Sequence, residues 1–565
     1  MKSISISKSK IFIFISSFLI LLSSLSYSQT VFEPIHSSVY NFLDVMAQKG
    51  IIVFNDIAKP VSREYIAKKL LQLKNLESEN PDSANSILTN LETQELDFYL
   101  KDYGLELGFI QNSKFKIQNS LTLVNWDKFN RWRMFSYSDS LFQLNASPIL
   151  GYQAGKRDGA KYSHSWNGVY LYGYIAGKVG YSLKFNDNSE TGTTIDPTKS
   201  FTPVTGISIS KANNNNIQYD EVEADISTNW SWGDITIAKD YLNWGYGQSG
   251  LLVLSDKTPS FPFIRLDIQP VKWLRFNYIH AWLNSNVIDS SAFYSSHFPN
   301  EPVTTFRNKF FVSHSITVTP TTGLDVSVGE SMIYPNQIQI PYLIPIMFFR
   351  LADHYLSQNN NSAGGNASIF FGVSSRNQLK NTHLYGTLFI DEFTIQNMFN
   401  SQLQHFQIGF TLGGSITDLP IANLTATAEF TKIYPGVYTH FIPTLTYQSD
   451  GYNLGDWMGN NADRIYGALN YRFIRGLQAT AWAQYIRKGA LANADQQYTN
   501  PQPPFLFGLR TDYTYLGADL KYEITHEFFA DLQLQTTKIS TQQPDLSFNS
   551  QTLNEFYVSL YYGIH

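Results

Sequence analysis

Between residues 104 and 565 the apolar side chains recur at every second position. Leu520, Tyr522 and Ile524 alternate with Lys521, Glu523 and Thr525. After the short Thr525-His526-Glu527 turn, Phe528, Ala530, Leu532 and Leu534 alternate with Asp531, Gln533 and Gln535. Ile316 and Val318, then Leu324, Val326 and Val328, repeat the pattern across a turn at 320–323. So do Leu424, Ala426, Ala428 and Phe430, and again Leu477, Ala479, Ala481 and Ala483. A period of two puts successive side chains on opposite faces of a strand. Long strands with one greasy face and one polar, charge-poor face predict an all-β transmembrane antiparallel β-barrel, lipid outside and a wet lumen inside. A soluble β-sandwich would alternate too, but with shorter strands and a more charged exposed face. The span suits roughly 16–18 strands.

Before residue 104 the period is helical. Tyr40, Leu43, Met46 and Ala47 share a face, with Gly50 as a stop. Ser62 is an N-cap for a helix in which Ile66, Leu70 and Leu73 recur. Pro81 opens a third helix carrying Ile87, Leu88, Leu91, Leu96, Phe98 and Tyr99, with Gly104 after it. These helices form a small domain over 29–103, with the barrel over 104–565. An even strand count leaves both barrel ends on the periplasmic side, beside this domain. Residues 1–28 read as a signal peptide. Lys2, Lys8 and Lys10 precede the apolar run 11–22, and Ser26 and Ser28 fit the cleavage positions, leaving Gln29 first.

Connections alternate short and long, the long ones being 186–216, 284–308, 449–463 and 488–504. Short periplasmic turns and long external loops are the asymmetry of outer-membrane barrels. The connection 335–361 is unusual. Its middle is too apolar to face water, so it is expected to fold inward or pack on neighbouring loops. The last strand alternates through Phe556, Val558, Leu560, Tyr562 and Ile564, and ends at His565 rather than at an aromatic residue.

Composition narrows the class. Aromatic residues make up 15% of the 565, charged residues also 15%, and the net charge is −5. No basic surface suggests nucleic acid. Mean hydropathy is −0.20, which excludes a helical membrane protein. There are no cysteines, hence no disulfides, thiolate metal sites or lipidated cysteine. The 11 histidines are scattered without an H-x-H or H-E-x-x-H spacing, so no metal is expected. No cofactor is expected either. Gly245, Gly247 and Gly250 satisfy the dinucleotide fingerprint, but a strand rather than a helix follows them. No G-x-S-x-G elbow occurs. Asp391 and Glu392 are neighbours on a strand and point apart, so they cannot act as a facing carboxylate pair. The chain is not read as an enzyme.

The stretch WGYGQSGLLVLSDKTPSFPFIRL, residues 244–266, resembles the central motif of the Wzi-like capsule-assembly outer-membrane proteins. VYNFLDVMAQKGIIVFNDIAKPVSREYIAKKL, residues 39–70, resembles their helical N-terminal region, which lies on the periplasmic side of the barrel. Residues 323–330, 335–361 and LYGTLFIDEF at 384–393 resemble a second block. FTKIYPGVYTH at 430–440 and YNLGDWMGNNADR at 452–464 resemble a third. The resemblance implies an outer-membrane protein of a Gram-negative bacterium that binds or anchors surface polysaccharide, without catalysis. Its partners would be outer-membrane lipid, the polymer and the polysaccharide export machinery. A channel for a small solute is the alternative, and an open or blocked lumen discriminates between them. Candidate saccharide contacts are Trp244, Tyr246, Tyr438, His440, Tyr452, Trp457, Asn460, Asp463 and Arg464. They combine flat apolar rings with groups that bond hydroxyls. Arg265, Asp267, Glu330, Arg350, Asp391 and Glu429 are expected in a lumen network of paired charges.

Overall fold

The computed structural model describes residues 30–79, 87–111, 119–292, 294–295, 302–360, 364–393, 406–491 and 499–563. The signal-peptide stretch, Gln29, Pro81 and His565 lie outside the described residues. Eighteen antiparallel strands close into a barrel. In chain order they begin β1 Phe142–Arg157, β2 Ala160–Ile175, β3 Val179–Gly192, β4 Asn216–Trp230, β5 Gly233–Asp240 and β6 Phe261–Val271. Next come β7 Leu274–Ile288, β8 Phe306–Thr321, β9 Leu324–Pro335, β10 Asn366–Arg376, β11 Thr382–Phe393 and β12 Phe406–Thr417. The last are β13 Leu424–Ile433, β14 Ala462–Ile474, β15 Leu477–Lys488, β16 Thr511–Thr525, β17 Phe528–Gln542 and β18 Phe548–Tyr562. β18 returns to β1, with Glu555 opposite Arg157 and Tyr562 opposite Leu150. A hairpin of Ser120–Trp126 and Trp132–Ser138 precedes β1 and occupies the rest of that edge, Phe135 opposite Ala146.

The alternation read from the sequence sorts wall from lumen. Val326 and Val328 on β9, Ile316 on β8, and Val558 and Leu560 on β18 are exposed on the outer face. Between them Ser313, Ser315 and Ser327 turn inward and are buried. At one end most strands join through tight turns. Thr322-Gly323 between β8 and β9 is one, where Gly323 takes φ +81, a backbone conformation that a Cβ would strain. The other end carries the long connections.

The helical domain comprises α1 Val39–Gln48, α2 Arg63–Ser78, α3 Asn90–Asp102 and α4 Gly104–Gln111. α4 moves the boundary. Residues 104–111 are helical, not the first strand, and the first barrel strand begins at Phe142. Ser62 caps α2 by accepting from the Tyr65 N–H, as its sequence position predicts. Thr89 and Glu92 form a reciprocal capping box on α3. Glu92 also accepts from Lys49, which bridges on to Asp418 in the short turn between β12 and β13. The domain therefore sits at the short-turn end. Arg376 of β10 holds it from inside the barrel, reaching Asp44 at 2.8 Å, Asp56 at 2.9 Å and the Phe54 carbonyl at 3.1 Å. Arg63 does the same from the domain side. It pairs with Glu33 and Glu106 and is sandwiched between the rings of Tyr103 and Tyr172, the latter on β2.

Among the described residues the 335–361 connection neither folds inward nor rests on other loops. It runs down the outer face of β7 to β9 and returns through α5 Phe349–Asn360. Tyr342, Phe349, Ala352 and Leu356 pack on the outward side chains Tyr278, Phe310, Val312, Met332 and Tyr334.

Candidate functional site in the occluded lumen and outer mouth

Two long connections enter the lumen from the long-loop end. The first, 241–260, reaches far enough that Asn243–Trp244 pairs with Ala58–Lys59 of the helical domain. Trp244 then exchanges backbone hydrogen bonds with Leu254, and Gly245 donates to the Ile57 carbonyl at 2.8 Å. Gly245 manages this turn at φ +109. The second connection, 434–461, continues the ladder. Ser255 donates to the Leu454 carbonyl, Leu454 to Tyr447 and Tyr447 to Tyr438. A column of hydrogen-bonded backbone thus runs from the helical domain through both inward loops. Apolar side chains such as Leu252, Val253, Phe311 and Phe389 fill the space between it and the wall.

Side chains lock the column. The glycine-rich stretch presents the Gln248 and Ser249 N–H groups to the carboxylate of Glu429 on β13, at 2.6 and 3.2 Å. Tyr385 adds its hydroxyl at 2.8 Å. The three glycines therefore cradle an internal carboxylate, not a phosphate. Arg464 on β14 donates two hydrogen bonds to Asp456, at 3.1 and 2.8 Å, and lies under the Trp457 ring. A Cβ at Gly250 would come within 2.3 Å of Asp456, so the loop backbone lies directly on this pair. Tyr438 and Tyr447 donate their hydroxyls to the carbonyls of Leu252 and Val253, both at 2.7 Å. Asp391 accepts from the Tyr438 N–H.

The candidate residues therefore separate into three groups. Trp244, Tyr246, Tyr438, Trp457, Asn460 and Arg464 are buried in the column and its wall contacts. Trp457 donates to the Ser249 carbonyl and Asn460 to the Val437 carbonyl, so their donor groups are already used by the protein. In this conformation they hold the plug. His440 and Tyr452 remain partly open at the mouth. His440 stacks on the exposed Phe441 at 4.4 Å. Lys257 lies over the Tyr452 ring, whose hydroxyl donates to the Thr198 carbonyl at 2.7 Å. Beside it Asp450 accepts from Asn284 and Ser208. The Phe441 ring was not singled out from the sequence. Its only local signal is an aromatic residue next to His440 just before Pro443.

Asp463 forms the third group. It neighbours Arg464 on β14 and so points to the opposite face. It pairs with Arg487 at the outer rim of the wall, not with a loop ligand. Two lumen assignments also change. Glu330 faces outward, because it shares a face with Val326 and Val328. Arg350 is exposed on α5, outside the barrel. Arg265, Asp267, Asp391 and Glu429 do face the lumen, and Arg265 pairs with Asp267 at 2.7 Å while donating to the Pro60 carbonyl. Below the plug, a polar cavity of about 230 Å³ lies between α1, α3 and the inner wall, with Asn41, Gln48, Gln248, Thr427, Asn470 and Arg472 among its lining. Among the described residues no group of three or more His, Cys, Asp or Glu side chains is placed to hold a metal.

The sequence matches no protein-family model and no curated protein. Among solved structures, the chain is similar to Wzi, an outer membrane protein involved in group 1 capsule assembly in Escherichia coli and described as a carbohydrate-binding β-barrel. The TM-score is 0.53 at 13% identity, covering 95% of this chain and 100% of that one. At this identity the likeness is one of fold: an outer-membrane-type barrel. The Acinetobacter baumannii protein OccAB2 matches at a TM-score of 0.40 and 11% identity over 74% of this chain and 97% of its own. Pseudomonas aeruginosa OccK3 matches at 0.38 and 14%, over 74% and 95%.

Proposed function

We propose that this protein is a closed outer-membrane barrel that holds a surface polysaccharide on its outer mouth, with no catalytic step. The observation that carries the reading is the column from Ala58 through Trp244 and Leu254 to Leu454, which occupies the path a solute would take. A polymer anchor needs no open path, and its binding groups belong on the long-loop end. There the exposed ring of Phe441 and the partly open ring of Tyr452, with His440 and the Asp450 carboxylate, offer stacking faces and hydroxyl partners. Each contact would be weak, and retention would come from many along a repeating chain. The short turns and helical domain face the periplasm. Wzi, a carbohydrate-binding barrel of the same fold, supports this reading by analogy only. The polar cavity of about 230 Å³ favours the second reading, a small-solute channel that the loops gate. Conductance in planar bilayers tests the two together with polymer retention. The anchor reading expects no stable open channel and polysaccharide released from a deletion strain. Ohmic conductance with unchanged polymer retention would replace it with the channel.

A further inference from the structure

Five outward side chains of the barrel wall are polar where lipid would be expected: Tyr278 and His280 on β7, His314 on β8, and Glu330 and Tyr334 on β9. Their height can be read from the ladder. The residue rows pair Val318 with Val326, Ile316 with Val328, His314 with Glu330, Val312 with Met332 and Phe310 with Tyr334. Each outward step along a tilted strand adds about 5 Å of height, so the five rows span about 20 Å of an apolar belt about 25 Å tall. Glu330 stands on the third step, at mid-depth. An ionisable group there needs a partner that water cannot supply.

The 335–361 connection supplies it. The Glu330 carboxylate accepts the backbone N–H groups of Phe349 and Arg350, at 2.8 and 2.7 Å, and so caps the start of α5. The carboxylate is favoured there by the unpaired N–H groups and the positive end of the helix dipole. Arg350 also lies close enough to interact with that charge. His314 Nδ1 meets the Pro345 carbonyl at 2.9 Å, and the Tyr278 hydroxyl donates to the Tyr342 carbonyl at 2.9 Å. His280 bonds the Tyr334 hydroxyl at 2.6 Å beneath the segment. The polar patch on the wall is therefore a socket, and the segment is what fills it.

The segment's far side is unlike an ordinary loop. Ile346 is 83% exposed, Ile340 75%, Leu351 66% and Tyr355 64%. This apolar surface is continuous with the lipid-facing belt directly below it, where Ile316, Val326, Val328, Phe371 and Val373 are exposed. We propose that residues 337–356 form a membrane-embedded clasp, clipped to the outer wall through Glu330 and covered by lipid acyl chains of the external leaflet. The occupant follows from continuity: the same hydrocarbon that wets Val328 and Phe371 wets Ile346 and Leu351.

The chain has no cysteine, so single-site labelling is direct. Ile346→Cys, Leu351→Cys and, as a water-facing control, Lys380→Cys in a short turn would each be reconstituted into phosphatidylcholine vesicles. Folding is verified by the shift in gel mobility on heating. In permeabilised vesicles Lys380→Cys should react promptly with a charged aqueous maleimide, and the two clasp positions at least tenfold more slowly. A fluorophore coupled in detergent at either clasp position should then be quenched by nitroxide on the acyl chains and not by iodide. Reaction at the control rate would place the clasp in water and overturn the proposal. Protection from maleimide without acyl-chain quenching would show that protein, such as a second copy of this chain, covers it, and would overturn the proposal equally. If Ile346→Cys fails to fold, Leu351→Cys decides.

Discussion

Ala58 of the helical domain and Trp244 of the first inward loop are direct β-partners inside the barrel. One residue from each end of the molecule thus meets in its middle. The pairing couples the plug to the helical domain, so loosening one should loosen the other. Trp244 is only 2% exposed. Trp244→Ala should lower stability by about 3–5 kcal/mol, the usual cost of deleting a buried aromatic ring. Trp244→Phe should cost far less. Urea midpoints of detergent-solubilised protein, followed by heat-modifiable gel mobility, measure both.

Arg464 is a lock of the plug. Arg464→Ala leaves Asp456 and Glu429 buried without their cation, a loss of about 3–5 kcal/mol for a broken buried pair. Dye and antibiotic uptake should rise while surface polymer stays in place. Asp456→Leu with Arg464→Met, which removes both charges, should restore much of the barrier to uptake. If Arg464→Ala released polymer without raising uptake, the residue would be a ligand contact and not a lock.

Tyr452 and Phe441 carry the opposite expectation. Tyr452→Ala and Phe441→Ala should each weaken binding of purified cell-surface polysaccharide about two- to tenfold, in line with about 0.5–1.5 kcal/mol per aromatic contact. Tyr452→Phe should keep most of it. Dye uptake should not change in any of these. Glycan binding by isothermal titration, with cell-bound and released polymer measured alongside, provides the readout.

Burial pushes the Glu527 carboxyl up to about 7, with Asp102 and Glu33 adding to the rise and Arg133 and Arg63 opposing it. It sits in the turn between β16 and β17, against the helical domain. The folded protein therefore binds the proton that the unfolded chain releases above its ordinary 4.5, and this contribution to stability is lost as pH rises through 7. His526 beside it is shifted the other way, down to about 3 by burial against the pull of Asp102, and so opposes the trend below about 6.5. The difference between Glu527→Gln and the native protein isolates the carboxyl. The variant should melt higher at pH 8 and the same at pH 5.

An epitope tag at Asn75, near the end of α2, should resist protease added to intact cells and yield once the outer membrane is opened. Cleavage from outside would reverse the orientation.

Much of this architecture was legible in the chain. Period-two alternation set the wall, and the Ser62 cap and the Ile66, Leu70, Leu73 spacing set a helix. What alternation cannot show is which polar residues break its rule. Glu330 reads as a lumen charge because outward charges are rare. Only its parity with Val326 and Val328, joined to the greasy stretch at 340–349, shows that it faces out under cover. Asp463 and Arg464 both read as saccharide contacts, although as adjacent strand residues they must diverge. Residues 104–111 fall within the span read as barrel, but they form α4, which buries Leu105 and Leu107. The burial of Trp244, Tyr438 and Trp457 follows from two loops entering the lumen, and no local pattern encodes that path.

The join between β18 and β1 has a bearing on how such a molecule forms. Only the residues from Glu555 to Tyr562 pair there: β18 runs on past Arg157, where β1 ends, and the hairpin ending at Ser138 holds the opposite end of the β1 edge, whereas β17 and β18 pair along their whole length. The joined positions are also far apart in the chain, 398 residues for Arg157 and Glu555. Every other neighbour in the wall is a local hairpin or a single loop away. Bringing such distant ends together carries the largest loop-closure entropy in the wall and returns a ladder of only eight residue pairs. Closure of the ring should therefore be the slow, late step of folding, with a nearly complete curved sheet waiting for its two edges to meet.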